Sequence, residues 1–485
     1  MPETRSHPSR RFIFILPLLL LFPSCASLRS NAFRSTDRLP QASDSVTGAG
    51  QLAVSSVRAT GLAIVRQPAT TIRTGLAVLW HRPREIVAGN IPLEELAPVV
   101  QPAEIPGTPE FERLLDEKGL RPPQPGSLSW LVDGKSFFPE LDRQIEKARA
   151  SIDVQVFIYD NDDIAVRYSD KFKAKAEQVP IRVLFDDLGS TFAHGAAPET
   201  PGPPGFVPPV DIAFYLRENS HVRVRRSLNP WLVCDHTKLL VFDKQTAIMG
   251  GMNIGREYFS EWHDLMVKVE GPVVGSLGRE FNRAWRKASI WGDFSIFHYP
   301  KAIAVPKPGP RDFPVRLLRT DAARGETDVM DAGLLAIHAA RKRIWIENPY
   351  FAHDETARAL EAAARRGVDV RVILPERGDS TIMDAGNMAT ARGLIQAGAK
   401  VYRYPRMTHM KVMVCDGWAS VGSANLDTLS LRINRELNLA FSDATAIRSL
   451  ESAVFQPDFR ASRLVKLEET QAPGGALAET IADQL

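Results

Sequence analysis

A chain of 485 residues with 44% apolar and 24% charged side chains is long enough for two or three domains and an ample core. Of its formal charge of +3, residues 1–24 contribute +2 (Arg5, Arg10 and Arg11 against Glu3), and the +1 left over carries no nucleic-acid-binding signal. Three cysteines, Cys25, Cys234 and Cys415, exclude a disulfide framework, and the ten histidines show no zinc-ligand spacing.

The N-terminus reads as a targeting segment. Basic residues from Arg5 to Arg11 precede the apolar run Phe12–Phe22, which contains Pro17. That run is short of the roughly 20 residues that span a bilayer and has the size of a signal-peptide core. Residues 1–25 therefore read as a signal peptide or lipoprotein signal, with Cys25 as the lipidated residue, although Phe22 and Pro23 fit a lipobox poorly. Cleavage around Ser24-Cys25-Ala26 and an uncleaved anchor are the alternatives. The expectation is an exported protein of the bacterial cell envelope, held at the membrane as a lipoprotein.

Residues 26–125 read as an N-terminal tether with an accessory helical region. Ser27–Gly50 is the tether. Gln51–Ala88 carries apolar clusters, Leu62-Ala63-Ile64-Val65 and Leu76-Ala77-Val78-Leu79-Trp80. They make one or two helices that pack on the core, which is the default, or an amphipathic segment on a membrane surface. Pro102–Pro125 reads as a linker with one short helix over Phe111–Lys118.

A first α/β repeat spans residues 126–295. Helices are expected over 137–150, 165–177 and 273–287, and strands over 152–159 and 181–185. Ser190–Val210 is rich in Pro and Gly and is expected to be irregular, with its tip, Phe206 and Val207, either touching lipid or disordered. A connector covers 296–314. The second repeat, 315–464, runs in the same order: helix 329–341, strand 343–348, helix 355–366, strand 368–374. Residues 465–485 read as a frayed tail.

One stretch occurs in both repeats: CDHTKLLVFDKQTAIMGGMNIG from Cys234 and THMKVMVCDGWASVGSANLD from Thr408. Each copy holds a His, a Lys two residues on and an Asp five beyond that: His236, Lys238, Asp243 and His409, Lys411, Asp416. The period of two reads as a strand, so His and Lys share a face. A short turn and a second apolar run make a hairpin, which returns a Gly-rich turn with Asn253 or Asn425 toward the His. A lone His-x-Lys is most often a solvated strand edge; two copies with every polar position kept are much harder to explain by chance. Lys is a point charge for phosphoryl oxygens, Asn donates hydrogen bonds, and His can attack phosphorus or move a proton. Asp264 and Glu436 each stand eleven residues past their Asn. Each is expected to orient the His of its own copy by accepting the ring N–H. Cys234 and Cys415 are expected to pack as small buried apolar residues.

These motifs resemble those of the phospholipase D superfamily, His-x-Lys-x-x-x-x-Asp in duplicate with a Gly/Ser-x-Asn turn, over roughly Gly126–Arg460. GGMNIGREYF, WHDLMVKVEGPVV and FNRAW are most similar to the bacterial cardiolipin synthases. The resemblance implies an α/β fold of two repeated α/β/α halves with a pseudo-twofold active site between them. It implies a two-step reaction through a phosphohistidine, with His236 as nucleophile and His409 as acid/base. Lys238, Lys411, Asn253, Asn425 and Ser423 would bind the phosphate, while Asp243 and Asp416 support the structure. Gly251 stands where Ser423 stands in the second copy, which removes one hydroxyl and implies a modest effect on phosphate contacts. No cofactor is implied, and no metal is required because two Lys supply the charge.

The implied function is a phosphatidyltransferase making cardiolipin from phosphatidylglycerol, with phosphatidylethanolamine as a further possible substrate. The alternatives are a phospholipase D releasing phosphatidic acid and, behind it, a phosphodiesterase or nuclease. The expected partners are phospholipid and a membrane surface, not nucleic acid. A monomer with an intramolecular active site is expected.

Overall fold

The computed structural model describes residues 61–88, 101–194, 200–297 and 305–471. The signal and Cys25, the tether Ser27–Gly50 and residues 472–485 lie outside the described residues.

Among the described residues, a helical segment over 61–66 and two helices, α1 (Pro68–Ala88) and α2 (Pro109–Glu117), precede the repeats. The first repeat holds β1 (Gln124–Val132), β2 (Ile152–Val156), β3 (Ile181–Asp186), β4 (Arg223–Ser227), β5 (Leu239–Phe242), β6 (Thr246–Gly250) and β7 (Leu265–Glu270). The second holds β8 (Phe313–Asp321), β9 (Glu326–Thr327), β10 (Arg343–Glu347), β11 (Asp369–Pro375), β12 (Lys400–Tyr404), β13 (Val412–Cys415), β14 (Trp418–Gly422), β15 (Glu436–Phe441) and β16 (Arg463–Leu464).

All join one sheet in the order β16-β12-β11-β10-β13-β14-β15-β8-β1-β7-β6-β5-β2-β3-β4, with β9 beside β8. Its centre is the short antiparallel meeting of Gln124–Gly126 with Phe313–Val315. Outward from it, β7-β6-β5-β2-β3-β4 repeats the order β15-β14-β13-β10-β11-β12. β2, β3 and β4 in one half and β10, β11 and β12 in the other are parallel, and each motif hairpin is antiparallel. The duplication read from the sequence is thus a duplication of topology, in a mixed α/β architecture.

Alternation along the strands sorts the core into layers. Leu240 and Phe242 face a cluster with Phe138, Leu141 and Phe172 from two helices of the first half. Leu239 and Val241 face the opposite way, into a cluster that also holds Val412, Val414 and Ile373 of the second half. That shared layer fixes the two motif hairpins relative to each other. A third cluster, around Ile344, Leu360 and Met413, belongs to the second half.

Three expectations shift. Pro102–Pro125 is not a free linker: Phe111 and Leu115 of α2 are buried in the second half, and buried Arg316 reaches Glu112 and Asp116 of α2 at 2.8 Å each. Its last residues already belong to the central strand β1. Part of the Pro/Gly-rich stretch is helical, over Asp187–His194, because the prolines begin only at Pro198. The chain after Leu464 continues packed, with the Val465 N–H donating to Val401 O at 2.8 Å and Thr470 buried.

Candidate active site

His236 and Lys238 stand just ahead of β5, and His409 and Lys411 just ahead of β13, in extended segments rather than within hairpin strands. Their backbone pairs with the opposite repeat instead. The His236 N–H donates to Arg435 O at 2.9 Å, and the Arg435 N–H donates to Cys234 O at 2.9 Å. On the other side the His409 N–H donates to His263 O at 2.6 Å, and the His263 N–H to Met407 O at 2.9 Å. Each motif His is thereby stitched to the residue that precedes the other repeat's carboxylate.

This stitching crosses the carboxylates. His236 Nδ1 lies 3.0 Å from Glu436 Oε1, and His409 Nδ1 lies 2.7 Å from Asp264 Oδ2. The expected pairing of each acid with the His of its own copy is corrected: Glu436 orients His236 and Asp264 orients His409. The reason is the short parallel bridges Asp235–Arg435 and His263–Thr408, which place opposite-repeat residues side by side. With the proton of each ring on Nδ1, facing a carboxylate, Nε2 is the atom left for chemistry.

The two lysines are buried, and each ammonium donates to the carbonyl of its own motif His: Lys238 to His236 O at 2.8 Å and Lys411 to His409 O at 2.6 Å. His-x-Lys spacing allows this reach-back and holds both cations beside the rings. Burial, and then the charges of Lys238 and Lys411, hold both imidazoles well below their usual range. Burial pushes the Asp264 carboxyl up to about 7 and that of Glu436 to about 8, against the pull of the lysines. Aromatic rings close the site: Phe157 lies 4.7 Å from His236, and Trp262 and Tyr258 lie 5.1 and 5.7 Å from His409.

The turn residues also make contacts within the protein. The Asn253 amide donates to Tyr258 Oη at 2.9 Å while its carbonyl accepts from the Ile158 N–H, so it also braces the turn. Asn425 is fully buried beside the motif. The Ser423 hydroxyl donates to Glu436 Oε2 at 2.6 Å, and thus to the orienting acid. At the matching place a Cβ on Gly251 would sit 2.2 Å from Asp264 Oδ1. The Gly251–Asp264 and Ser423–Glu436 pairs are therefore alternative fillings of one space. What Gly251 provides is room for the shorter acid.

Asp243 and Asp416 lie outside the chemistry. Both adopt left-handed φ (51° and 49°), which Asp tolerates better than most residues. Asp243 accepts the N–H groups of Arg149, Ala150 and Ser151, and Asp416 those of Arg341, Lys342 and Arg343. Each clamps the helix-to-strand junction before β2 or β10, a capping role as expected. Cys234 and Cys415 are buried in separate apolar clusters.

Behind the rings lies a layer that the motif reading passed over. Arg435 forms an ion pair with Asp235, which Gln155 also contacts at 2.9 Å. The corresponding place in the other half is taken by His263, with Nδ1 at 2.7 Å from Asp133 and Nε2 at 3.2 Å from Asp458, stacked on Tyr404. Burial alone would lower the His263 pKa, but the bonds to Asp133 and Asp458 raise it to about 10. The signal was in the sequence: both residues stand one before the orienting acid. Among the described residues, His263, Glu347 and Asp458, and separately Asp160, Asp162 and Glu257, have the spacing to hold a cation. In the first group the imidazolium already supplies the charge that the Arg435 guanidinium supplies opposite.

Two topologically equivalent halves, with a pair of His–carboxylate dyads and two lysines at their junction, define a phospholipase D-like protein. A family model described as cardiolipin synthase, phospholipase D-like domain, matches residues 141–285 and 334–456, and the chain belongs to that family. It is 33% identical over 357 residues to cardiolipin synthase A of Pseudomonas putida, covering 70% of each chain. It is 31% identical over 367 residues to a probable cardiolipin synthase of Bacillus subtilis, covering 73% of this chain and 69% of that one. A phosphatidylserine synthase from Haemophilus influenzae shares the fold, with a TM-score of 0.55 at 13% identity over 77% of this chain and 96% of that one.

Proposed function

We propose that the chain is a phosphatidyltransferase that makes cardiolipin from two molecules of phosphatidylglycerol. The observation that carries this is the pair of histidines, each oriented through Nδ1 by a carboxylate of the other half, between two buried lysines. In the first step His236 Nε2 attacks the phosphodiester phosphorus, and the P–O bond to the leaving glycerol breaks. His409 gives that oxygen its Nε2 proton, the second proton of a doubly protonated His409–Asp264 pair, and keeps the proton on Nδ1 facing Asp264. In the second step His409 takes the proton of an incoming phosphatidylglycerol hydroxyl, whose oxygen attacks phosphorus and frees His236. Lys238 and Lys411 offset the charge on the non-bridging oxygens.

The test is purified protein with labelled phosphatidylglycerol in mixed micelles. Cardiolipin plus glycerol supports the proposal. Phosphatidic acid alone makes water the acceptor and the protein a phospholipase D. No reaction calls for added phosphatidylethanolamine and then single-stranded DNA as substrate. His236→Ala and His409→Ala are each expected to abolish turnover, and full activity in either would sink the shared site. The proposal extends to place: a monomer at the cell envelope, anchored through Cys25. No helix among the described residues is long and apolar enough to cross a membrane.

A further inference from the structure

Helix α1 is inside out. Ile72, Leu76, Leu79 and Trp80, spaced i, i+4, i+7 and i+8, form one face of the helix. They are 63%, 62%, 70% and 56% exposed. The buried face is made of Thr71, Thr74, Gly75 and Val78, with Gln67 just before the helix. Polar contacts hold that face down: Gln67 Nε2 donates to Lys287 O at 2.8 Å, and the Thr70 N–H and hydroxyl both donate to Asp293. A helix that only packed on the core would turn its apolar stripe inward.

The surroundings extend the apolar face. Trp231 Nε1 donates to Thr71 O at 2.7 Å, and its ring lies over Gly75, where a Cβ would come within 2.9 Å of Nε1. Trp231, Ile290, Trp291 and Phe294 are all about half or more exposed. Three exposed tryptophans with aliphatic neighbours suit the boundary between headgroups and acyl chains. Between residues 61 and 81 the chain carries Arg66 and Arg73 and no acidic residue, so the charge is complementary to anionic lipid. A crevice between α1 and the chain entering the motif, lined by Gln67, Thr70, Thr74, Val233, Cys234 and Asp235, reaches the layer behind the rings.

We infer that this face docks the protein on an anionic phospholipid bilayer, with α1 in the plane of the surface. The inference rests on the phosphatidyltransferase reading for its substrate, but not for its binding measurement.

The test uses the full chain and the double variant Leu76→Gln/Leu79→Gln, which keeps the buried face of α1 intact. Turnover is compared on vesicles of phosphatidylglycerol and phosphatidylcholine and on monomeric short-chain phosphatidylglycerol. Tryptophan quenching by bromine-labelled acyl chains in the same vesicles reads docking directly, with Trp80→Phe as a second variant. Expected are a loss of roughly tenfold or more on vesicles, short-chain turnover within about twofold, and weaker quenching in both variants. Unchanged vesicle turnover with unchanged quenching overturns the inference, as does an equal loss on both substrates with quenching unaltered in Trp80→Phe. A lipid-free dimer of the full chain that the double variant breaks would assign the face to a second copy and also overturn it. If the unaltered protein turns over neither substrate, the transferase reading fails while the quenching result still decides docking.

Discussion

The crossing of the dyads gives the sharpest test. Glu436→Gln leaves a neutral amide beside His236 Nδ1, where a carboxylate oxygen now lies at 3.0 Å. As His236 bonds to phosphorus its ring becomes cationic, and Glu436 stabilises that charge in a fully buried setting. A hydrogen bond to a charged group is worth about 1.5–3 kcal/mol, and 1.4 kcal/mol is tenfold in rate, so formation of the phosphoenzyme should slow by roughly 10- to 150-fold. Asp264→Asn acts on His409 instead and weakens proton delivery to the leaving oxygen. A phosphodiester donor with a p-nitrophenyl leaving group needs no such proton. With that donor, rapid-quench trapping of labelled phosphohistidine should show the loss in Glu436→Gln and a change of only about two- to threefold in Asp264→Asn. Peptide mapping then identifies the labelled ring. The reasoning is refuted if the label and the sensitive carboxylate belong to the same repeat.

Gly251→Ser should lower turnover by roughly tenfold or more, since its Cβ would meet Asp264 Oδ1 at 2.2 Å and push that acid off His409; Ser423→Ala, which removes only one bond to Glu436, should cost less in the same assay. Asp243→Ala and Asp416→Ala each delete an acceptor for three backbone N–H groups and should cost about 2–3 kcal/mol in chemical denaturation, with turnover per folded molecule retained. The His263 pKa is raised from 6.5 to about 10, so its contribution to stability is full below pH 6.5 and fades as pH rises toward 10. Thermal midpoints should therefore fall across that window in the native protein and fall less in His263→Arg, which keeps a cation facing Asp133, Asp458 and Glu347.

What could be read from the sequence was what is local. His-x-Lys recurs because a lysine two residues on can reach back to the histidine carbonyl, and that contact needs no knowledge of the fold. A structural role for Asp243 and Asp416 was legible, but not their partners, which lie between 73 and 94 residues earlier in the chain. The pairing of acids with rings was not, because it depends on Arg435 lying beside Cys234 and His263 beside Met407, contacts between segments far apart in the chain. The role of Gly251 was hidden likewise: a glycine in a motif reads as a missing hydroxyl until the Asp264 carboxylate is seen to fill the space. Helix α1 was half legible. Its spacing announces an amphipathic helix, but spacing cannot say which face meets protein, and here polar bonds from Gln67 and Thr70 decide it.

The crossing also changes what duplication means in this chain. If each half oriented its own histidine, one repeat could hold a working dyad and the second would only add a partner ring. Here the first half supplies His236 and Lys238 but borrows Glu436, and the second supplies His409 and Lys411 but borrows Asp264. Neither dyad exists until the central sheet, the shared apolar layer and the two short bridges have formed. A substitution on β15 therefore acts on the first repeat's histidine, and one at the start of β7 acts on the second's. The asymmetry behind the rings, Arg435 on one side and a titratable His263 on the other, gives the two dyads different surroundings. A reaction that asks one ring to attack and the other to move a proton can use that difference.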